Sequence, residues 1–328
     1  MSSQRPGEDS LIARFFAPLA AEGGLGLADD AACLSPTPGH DLVLTADALV
    51  ETVHFLPGDP PGSVACKALG VNVSDLAAKG ADPRGFLLSL ALPEDWTEEW
   101  LAAFATGLGE AARDFACPLL GGDTVRARGA LTLSVTAIGE VPAGRMVRRT
   151  AAREGDVICV TGTIGDAALG LLLRRSPVWA ERLSPEDRAH LADRYLHPRP
   201  RHLLAPAVRS FARAAMDVSD GLAGDLAKML RVSGVTAVIE TDRIPLSHAA
   251  RKAVEASPDL LDRAVTGGDD YEILCTLPES NLDSFRKEAD RVGIGLSVIG
   301  RVVSGSGLPI FRNDGSERRY DAGSFSHF

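Results

Sequence analysis

Aspartates recur along this chain beside glycine or apolar residues rather than on charged faces. Asp29 and Asp30 follow a glycine-rich stretch, Asp47 ends the apolar run from Leu42, and Asp75 lies within Val71-Asn72-Val73-Ser74-Asp75-Leu76. Asp123 follows Gly121-Gly122, Asp217 and Asp220 flank Val218-Ser219, and Asp269-Asp270 follow Gly267-Gly268. Taken singly, each reads most simply as a cap or a turn former: Asp220 capping a helix from Gly221, Asp123 making a turn. Taken together they point to one site. Clustered carboxylates repel unless a cation lies between them. Oxygen ligands select hard cations such as Mg²⁺ or Ca²⁺ over zinc, and Mg²⁺ completes its shell with water and phosphate oxygens. Carboxylates beside glycine-rich backbone therefore suit a metal-bridged polyphosphate.

Other chemistry is harder to find. There is no G-x-x-x-x-G-K-[ST], no HRD or DFG, no GxSxG, and Gly24-Leu25-Gly26 does not continue as GxGxxG. Ala68, Asn72, Asp75 and Lys79 recur at helical spacing and share one face. That face is either a solvent stripe closed by an Asp75–Lys79 ion pair or a polar line aimed into a site. His54, between Val53 and Phe55, reads first as a core histidine of an apolar strand. Arg145 to Arg149 form a basic cluster that suits a phosphate chain or an exposed turn equally well.

The elements that must position these residues alternate. Strands are expected at 41–45, with Asp47 just past the end, at 86–92 and at 131–138; helices are expected from Ser63 to Lys79 and from Thr97 to Phe115. Near residue 150 the pattern loses its periodicity, which sets a boundary between domains 1–149 and 150–328. The second half shows helices near 165–175, 185–195, 201–214 and 221–233, and strands near 156–160, 236–241, 271–277 and 296–303. The alternation is not a clean βαβ series. The expected class is α+β in two domains, with mixed or antiparallel sheets and packed helices.

Composition narrows the function. With 328 residues, 45% apolar and 24% charged, the chain can bury two cores. The formal net charge of −10 argues against a nucleic-acid partner. Five scattered cysteines without a CxxC pair argue against a disulfide framework. The start resembles an amphipathic helix, not a signal peptide, and no apolar run is long enough to span a membrane. A cytoplasmic protein is expected.

The order of the motifs carries a resemblance. Leu27-Ala28-Asp29-Asp30-Ala31-Ala32, Thr45-Ala46-Asp47-Ala48-Leu49-Val50-Glu51 with Val53-His54-Phe55, and Lys67-Ala68-Leu69-Gly70-Val71-Asn72-Val73-Ser74-Asp75-Leu76 are similar to segments of thiamine-monophosphate kinases. So are Gly121-Gly122-Asp123-Thr124, Val160 to Asp166, Asp217 to Leu222 and Gly267 to Glu272. The set covers the chain from about residue 8 to its end.

The resemblance implies a two-domain fold shared with aminoimidazole ribonucleotide synthetase and selenophosphate synthetase. It implies a homodimer formed through the N-terminal domain, with ATP bound beside that interface. The implied reaction is phosphorylation of thiamine phosphate by ATP. Asp30, Thr45, Ala46, Asp47, Asp75, Asp123 and Asp217 would hold Mg²⁺, and Asp220 a further ion. Gly122, Arg149 and Ser219 would meet ATP; His54 and Asp269 would face thiamine phosphate. A monovalent cation is left open.

Three positions depart from the family. Ala46 replaces a Thr and offers only its carbonyl, Asp269 replaces a Glu, and Phe325-Ser326-His327-Phe328 replaces Tyr-Asp-His-Phe. The alternatives are another ATP-using synthetase of the superfamily, or a binding module that kept the fold. A binding module would have lost several of these carboxylates. With the aspartates engaged by metal, no residue is left as nucleophile, so the transfer is expected to be direct.

Overall fold

Between Thr132 and Pro142 buried and half-buried residues alternate almost without a break, as a strand with one covered face requires. That strand is the fourth of the first of two compact units in this computed structural model, which describes residues 7–321. The first unit comprises the chain to Leu76 and Asp82–Gly144; the second comprises Ala77–Ala81 and the chain from Arg145 onward. The tail Phe325–Phe328 lies outside the described residues.

In chain order the first unit carries α1 (Glu8–Leu11), β1 (His40–Val50), α2 (Pro61–Ala78, whose last two residues count with the second unit), β2 (Asp82–Leu92), α3 (Glu98–Asp114), β3 (Leu119–Arg126) and β4. The sheet order is β1-β4-β2-β3; β4 is antiparallel to both neighbours and β2–β3 is parallel. α2 is apolar nearly all round and is buried accordingly: every residue from Ser63 to Ala78 is buried except Cys66 and Asp75. It begins at Pro61 rather than Ser63, because proline's missing N–H costs nothing in a first turn. Thr97 caps α3 by accepting the Trp100 N–H at 3.1 Å.

Two expectations change. β1 runs on to Val50, so Asp47 sits within the strand, opposite Val135, because Ala48 and Leu49 go on pairing with β4. Asp123 lies in β3 beside Ser89, not in a turn; Gly121-Gly122 is extended backbone there.

The second unit carries β5 (Val157–Thr161), α4 (Asp166–Leu173), α5 (Pro185–Leu196), α6 (Ala205–Phe211), β6 (Ala214–Asp217), α7 (Leu222–Ser233), β7 (Thr236–Glu240), α8 (His248–Ala256), α9 (Leu260–Thr266), β8 (Ile273–Leu277), α10 (Leu282–Arg291), β9 (Leu296–Val303), β10 (Ile310–Asn313) and β11 (Ser316–Arg318). Its sheet runs β11-β10-β7-β9-β5-β8-β6, with only β10–β7 parallel. One apolar core includes Val160, Met216, Leu226, Ile239 and Ile299; another includes Cys159, Ala215, Ile273 and Phe285. The fold is α+β with mixed sheets, as the sequence pattern indicated. Among the described residues no helix is long and apolar enough to cross a membrane.

Candidate functional site

In the first unit the polar residues collect where β1 meets α2. Thr45 Oγ1 donates to the Asp75 carboxylate. Fully buried Asn72 accepts the Asp47 N–H at 3.1 Å and donates from Nδ2 to the Ala68 carbonyl at 3.0 Å. Ser134 Oγ donates to the Asp47 carbonyl at 3.2 Å. The backbone of Asp47 is thus fixed on both sides while the residue itself is exposed. The helical face of Ala68, Asn72 and Asp75 is turned to β1; with Ala68 and Asn72 fully buried it is no solvent stripe. Ala46, next to Asp47, is exposed opposite Thr136.

His54 sits in the turn after β1, not inside a strand. Its Nδ1 accepts the Val50 N–H at 3.0 Å, which leaves the neutral ring's proton on Nε2. Buried Lys67 donates from Nζ to the His54 carbonyl at 3.1 Å and fixes the turn. Nothing but its place in the Lys67–Ala78 motif marked Lys67 beforehand.

Asp30 is exposed after a 3₁₀ stretch, its N–H donated to Asp29 Oδ1 at 2.8 Å. Asp123 is exposed on β3, and Gly122 before it has no alternative: a Cβ there would lie 1.8 Å from the Leu88 carbonyl oxygen. β1 and β3 are the two edges of the four-stranded sheet. Asp47 and Asp123 are therefore three strand spacings apart, roughly 14 Å.

In the second unit two motif loops are laced together by backbone. Val218 N–H donates to the Glu272 carbonyl, Asp269 N–H to the Ser219 carbonyl and Tyr271 N–H to the Val218 carbonyl, each at 2.8 Å. A Cβ on Gly268 would meet the Ser219 carbonyl oxygen at 2.2 Å, so the approach requires glycine. Asp269 (φ +72°) and Tyr271 (φ +52°) both hold left-handed backbone, a strain that surrounding structure must impose. Tyr271 donates from its hydroxyl to Asp269 Oδ1 at 3.2 Å.

The imposition comes from below. Asp270 is fully buried and accepts the Gly165 N–H at 2.7 Å; burial pushes its carboxyl well above the usual range. Glu272, also fully buried, receives Arg194 Nη2 at 3.1 Å, Arg201 Nε at 2.6 Å and Thr161 Oγ1 at 2.8 Å, and Arg201 Nη2 as well. Burial would lower the Arg201 guanidinium, but the Glu272 carboxylate outweighs it and the net shift is upward. Arg194 Nη2 also reaches the Asp270 carbonyl at 3.2 Å. Glu272 stood inside a quoted motif; Arg194 and Arg201 gave no signal, being some seventy residues away in the chain.

Asp217, buried, closes β6 opposite Ile273. Asp220 does not cap α7. Asp225, one turn inside the helix, reaches back to the N–H groups of Ser219 (3.0 Å) and Asp220 (2.9 Å). Arg149 is exposed in a turn, its carbonyl accepting Ser233 Oγ at 3.1 Å. Asp166, at the start of α4, is fully buried. Burial alone would raise its carboxyl, but hydrogen bonds from His190, Ser247 and Thr163 hold it below the ordinary value.

Among the described residues no three His, Cys, Asp or Glu side chains of the chain stand together as a metal cluster. The donors gathered at β1 and α2 are nevertheless a hydroxyl and carboxylates, all hard oxygen, with Asp47 exposed. That donor set fits Mg²⁺ and not a soft metal.

Residues 28–141 match the family described as AIR synthase related protein, N-terminal domain, and residues 153–311 match its C-terminal domain. The thiamine-monophosphate kinase of Caulobacter vibrioides is 40% identical over 93% of this chain and 87% of its own length. The crystal structure of thiamine-monophosphate kinase from Stenotrophomonas maltophilia is 41% identical, with a TM-score of 0.80, over 89% of this chain and 91% of that one. AaThiL complexed with AMPPCP and TMP is 32% identical, with a TM-score of 0.78, over the whole of both chains.

Proposed function

This chain belongs to the thiamine-monophosphate kinases, a branch of the AIR synthase related proteins, and from that membership we propose that it transfers a phosphoryl group from ATP to thiamine phosphate, giving thiamine diphosphate. The observation that carries the reading is kinship over nearly the whole chain. A structural neighbour's complex with AMPPCP and TMP supports the same pair of ligands here.

We assign Mg²⁺ to Asp30, Thr45, Asp47, Asp75, Asp123 and Asp217, with Ala46 offering its carbonyl and Asp220 a further ion; a monovalent cation remains open. When bound, Mg²⁺ supplies charge neutralisation for the two phosphate groups. The chain's own part is positioning. Asn72 and Ser134 hold the backbone of Asp47, and Thr45 holds Asp75. Gly122, Arg149 and Ser219 meet ATP in this assignment. Asp269, laced to the Ser219 carbonyl, and His54 meet thiamine phosphate. In this reading the N-terminal domain, 1–149, carries metal, nucleotide and dimer contacts, and 150–328 is the C-terminal α+β domain.

Transfer is direct. The acceptor is a phosphate monoester, whose second ionisation falls near pH 6, so no strong base is needed. His54 Nδ1, already accepting the Val50 N–H, is poorly placed as a phosphoryl carrier.

The sheet supports a homodimer. By register, Leu42, Leu44, Leu87 and Val125 project from one face, and they are 42%, 62%, 37% and 50% exposed. An apolar row of this kind on one sheet face suits a second copy. All five cysteines are free, which suits the cytoplasm.

The test is an acceptor panel with Mg²⁺-ATP, following ADP and product together. Thiamine phosphate is expected to give ADP and thiamine diphosphate in equal amounts. ADP release with another acceptor and none with thiamine phosphate rejects the reading. Light scattering is expected to give about twice the 34.5 kDa chain mass; a fully active monomer removes the dimer.

A further inference from the structure

Asp220 already carries a cation. Lys228, on α7, donates from Nζ to the Asp220 carboxylate and, at 2.9 Å, to Asp225 Oδ1. Asp225 and Lys228 are one helical turn apart, the spacing at which opposite charges meet. Asp220 is outside the helix and is brought within reach because Asp225 Oδ2 takes the N–H groups of Ser219 and Asp220. The lysine side chain is 30% exposed and that of Asp220 37%, while that of Asp225 is fully buried. One ammonium is thus wedged between two carboxylates at the lip of the loop that ends β6.

An ammonium and a divalent ion compete for the same carboxylate lone pairs. Mg²⁺ has twice the charge, but it must shed water to bind. Lys228 is tethered, so its effective concentration at Asp220 is in the millimolar range or above, however little free metal is present. It is also held by a second carboxylate that solvent does not reach.

We propose that Lys228 is a built-in counter-cation for Asp220, taking the place of a soluble divalent ion there. Asp220, in the loop that presents Ser219, is thereby given a counter-charge without metal. This revises the further ion assigned above to Asp220, and rests on that reading only for the role given to this loop.

The test counts ions and needs no turnover. Mn²⁺ is titrated into nucleotide-free protein and free Mn²⁺ is read by electron paramagnetic resonance. Lys228→Met is expected to bind one more Mn²⁺ per chain than the wild type, and the Asp220→Asn/Lys228→Met double variant to lose it again. Asp220→Asn alone, with Lys228 present, is expected to leave the count unchanged; this arm holds even if Lys228→Met fails to fold. An equal count in wild type and Lys228→Met overturns the proposal. So does an extra ion that survives Asp220→Asn, or a count that falls in Asp220→Asn alone. Failure of the kinase reading would show in the acceptor panel and leave these counts untouched.

Discussion

Replacing Glu272 by Gln keeps the shape of the side chain and removes its charge. In the native structure four donors converge on that carboxylate, from Arg194, Arg201 twice and Thr161. With Gln, one of the two oxygens becomes an NH₂ facing those donors. The Arg194 side chain is 3% exposed and cannot turn to water; Arg201, at 17%, can do so in part. Stranding one partner of a buried ion pair costs about 3–5 kcal/mol, and the partial escape of Arg201 puts the expectation near the lower end, about 3 kcal/mol. For a unit of this size each kcal/mol lowers the melting point by roughly 2–4 °C, so a fall of about 6–12 °C is expected by calorimetry on the full chain. Because the same cluster sits beneath Asp269, the KM for thiamine phosphate is expected to rise several-fold with the KM for ATP little changed. A melting point within about 2 °C of wild type would refute the reasoning, since the carboxylate would then not be what compensates the Arg194 and Arg201 guanidinium groups.

Asp47→Asn, Asp75→Asn and Asp123→Asn are each expected to lower kcat by two or more orders of magnitude, with double variants far from additive; near-normal rates in all three folded variants would remove the metal assignment. Incubation with γ-labelled ATP and no acceptor is expected to leave the protein unlabelled; stoichiometric label that chases into product would establish a phosphoenzyme. Gly268→Ala is expected to cost about 1–3 kcal/mol of stability, since the new methyl falls on the Ser219 carbonyl, and urea melts read it directly. His190 donates from Nε2 to the Asp166 carboxylate at 3.3 Å, and that bond raises its imidazole above the ordinary value. Its contribution is complete below about pH 6.5 and is lost as pH rises through the raised value, so the stability gap between wild type and His190→Gln should be wide near pH 5.5 and should close as pH rises through that value.

The sequence spoke clearly where a residue's role was local. The strand at 131–138 and the helices from Ser63 and from Thr97 are all visible, because each depends on neighbours a few positions away. Glycine misled where geometry was long-range: Gly121-Gly122-Asp123 has turn composition, yet the backbone is extended because β2 comes too close to tolerate a side chain. β6 gives no signal, since four residues carry no period, and the helix expected over 201–214 runs on to its first residue. α8, α9 and α10 were passed over because their apolar faces are short and set among Arg, Lys and Glu. The aspartates of the site were legible by type and setting. What holds them is not: spacing alone leaves the Asn72 face as either a solvent stripe or a polar line into a site, and Arg194 and Arg201 reach Glu272 from a distant part of the chain that no spacing rule covers.

The short return of the chain at Ala77–Ala81 has a consequence for anyone who would cut the protein in two. These five residues lie between the two stretches of the first unit, yet their bonds are with the second: the Val147 N–H donates to the Lys79 carbonyl at 3.1 Å, Lys79 Nζ to the Ala215 carbonyl at 2.8 Å, and Arg209 Nη1 to the Gly80 carbonyl at 2.8 Å. A protease nicking the turn near Gly144 would produce a C-terminal fragment with these positions vacant and an N-terminal fragment carrying a strip that belongs elsewhere. Each piece would be the other's missing part. Separate expression should therefore yield two poor folders, and mixing them should restore a nicked whole by complementation.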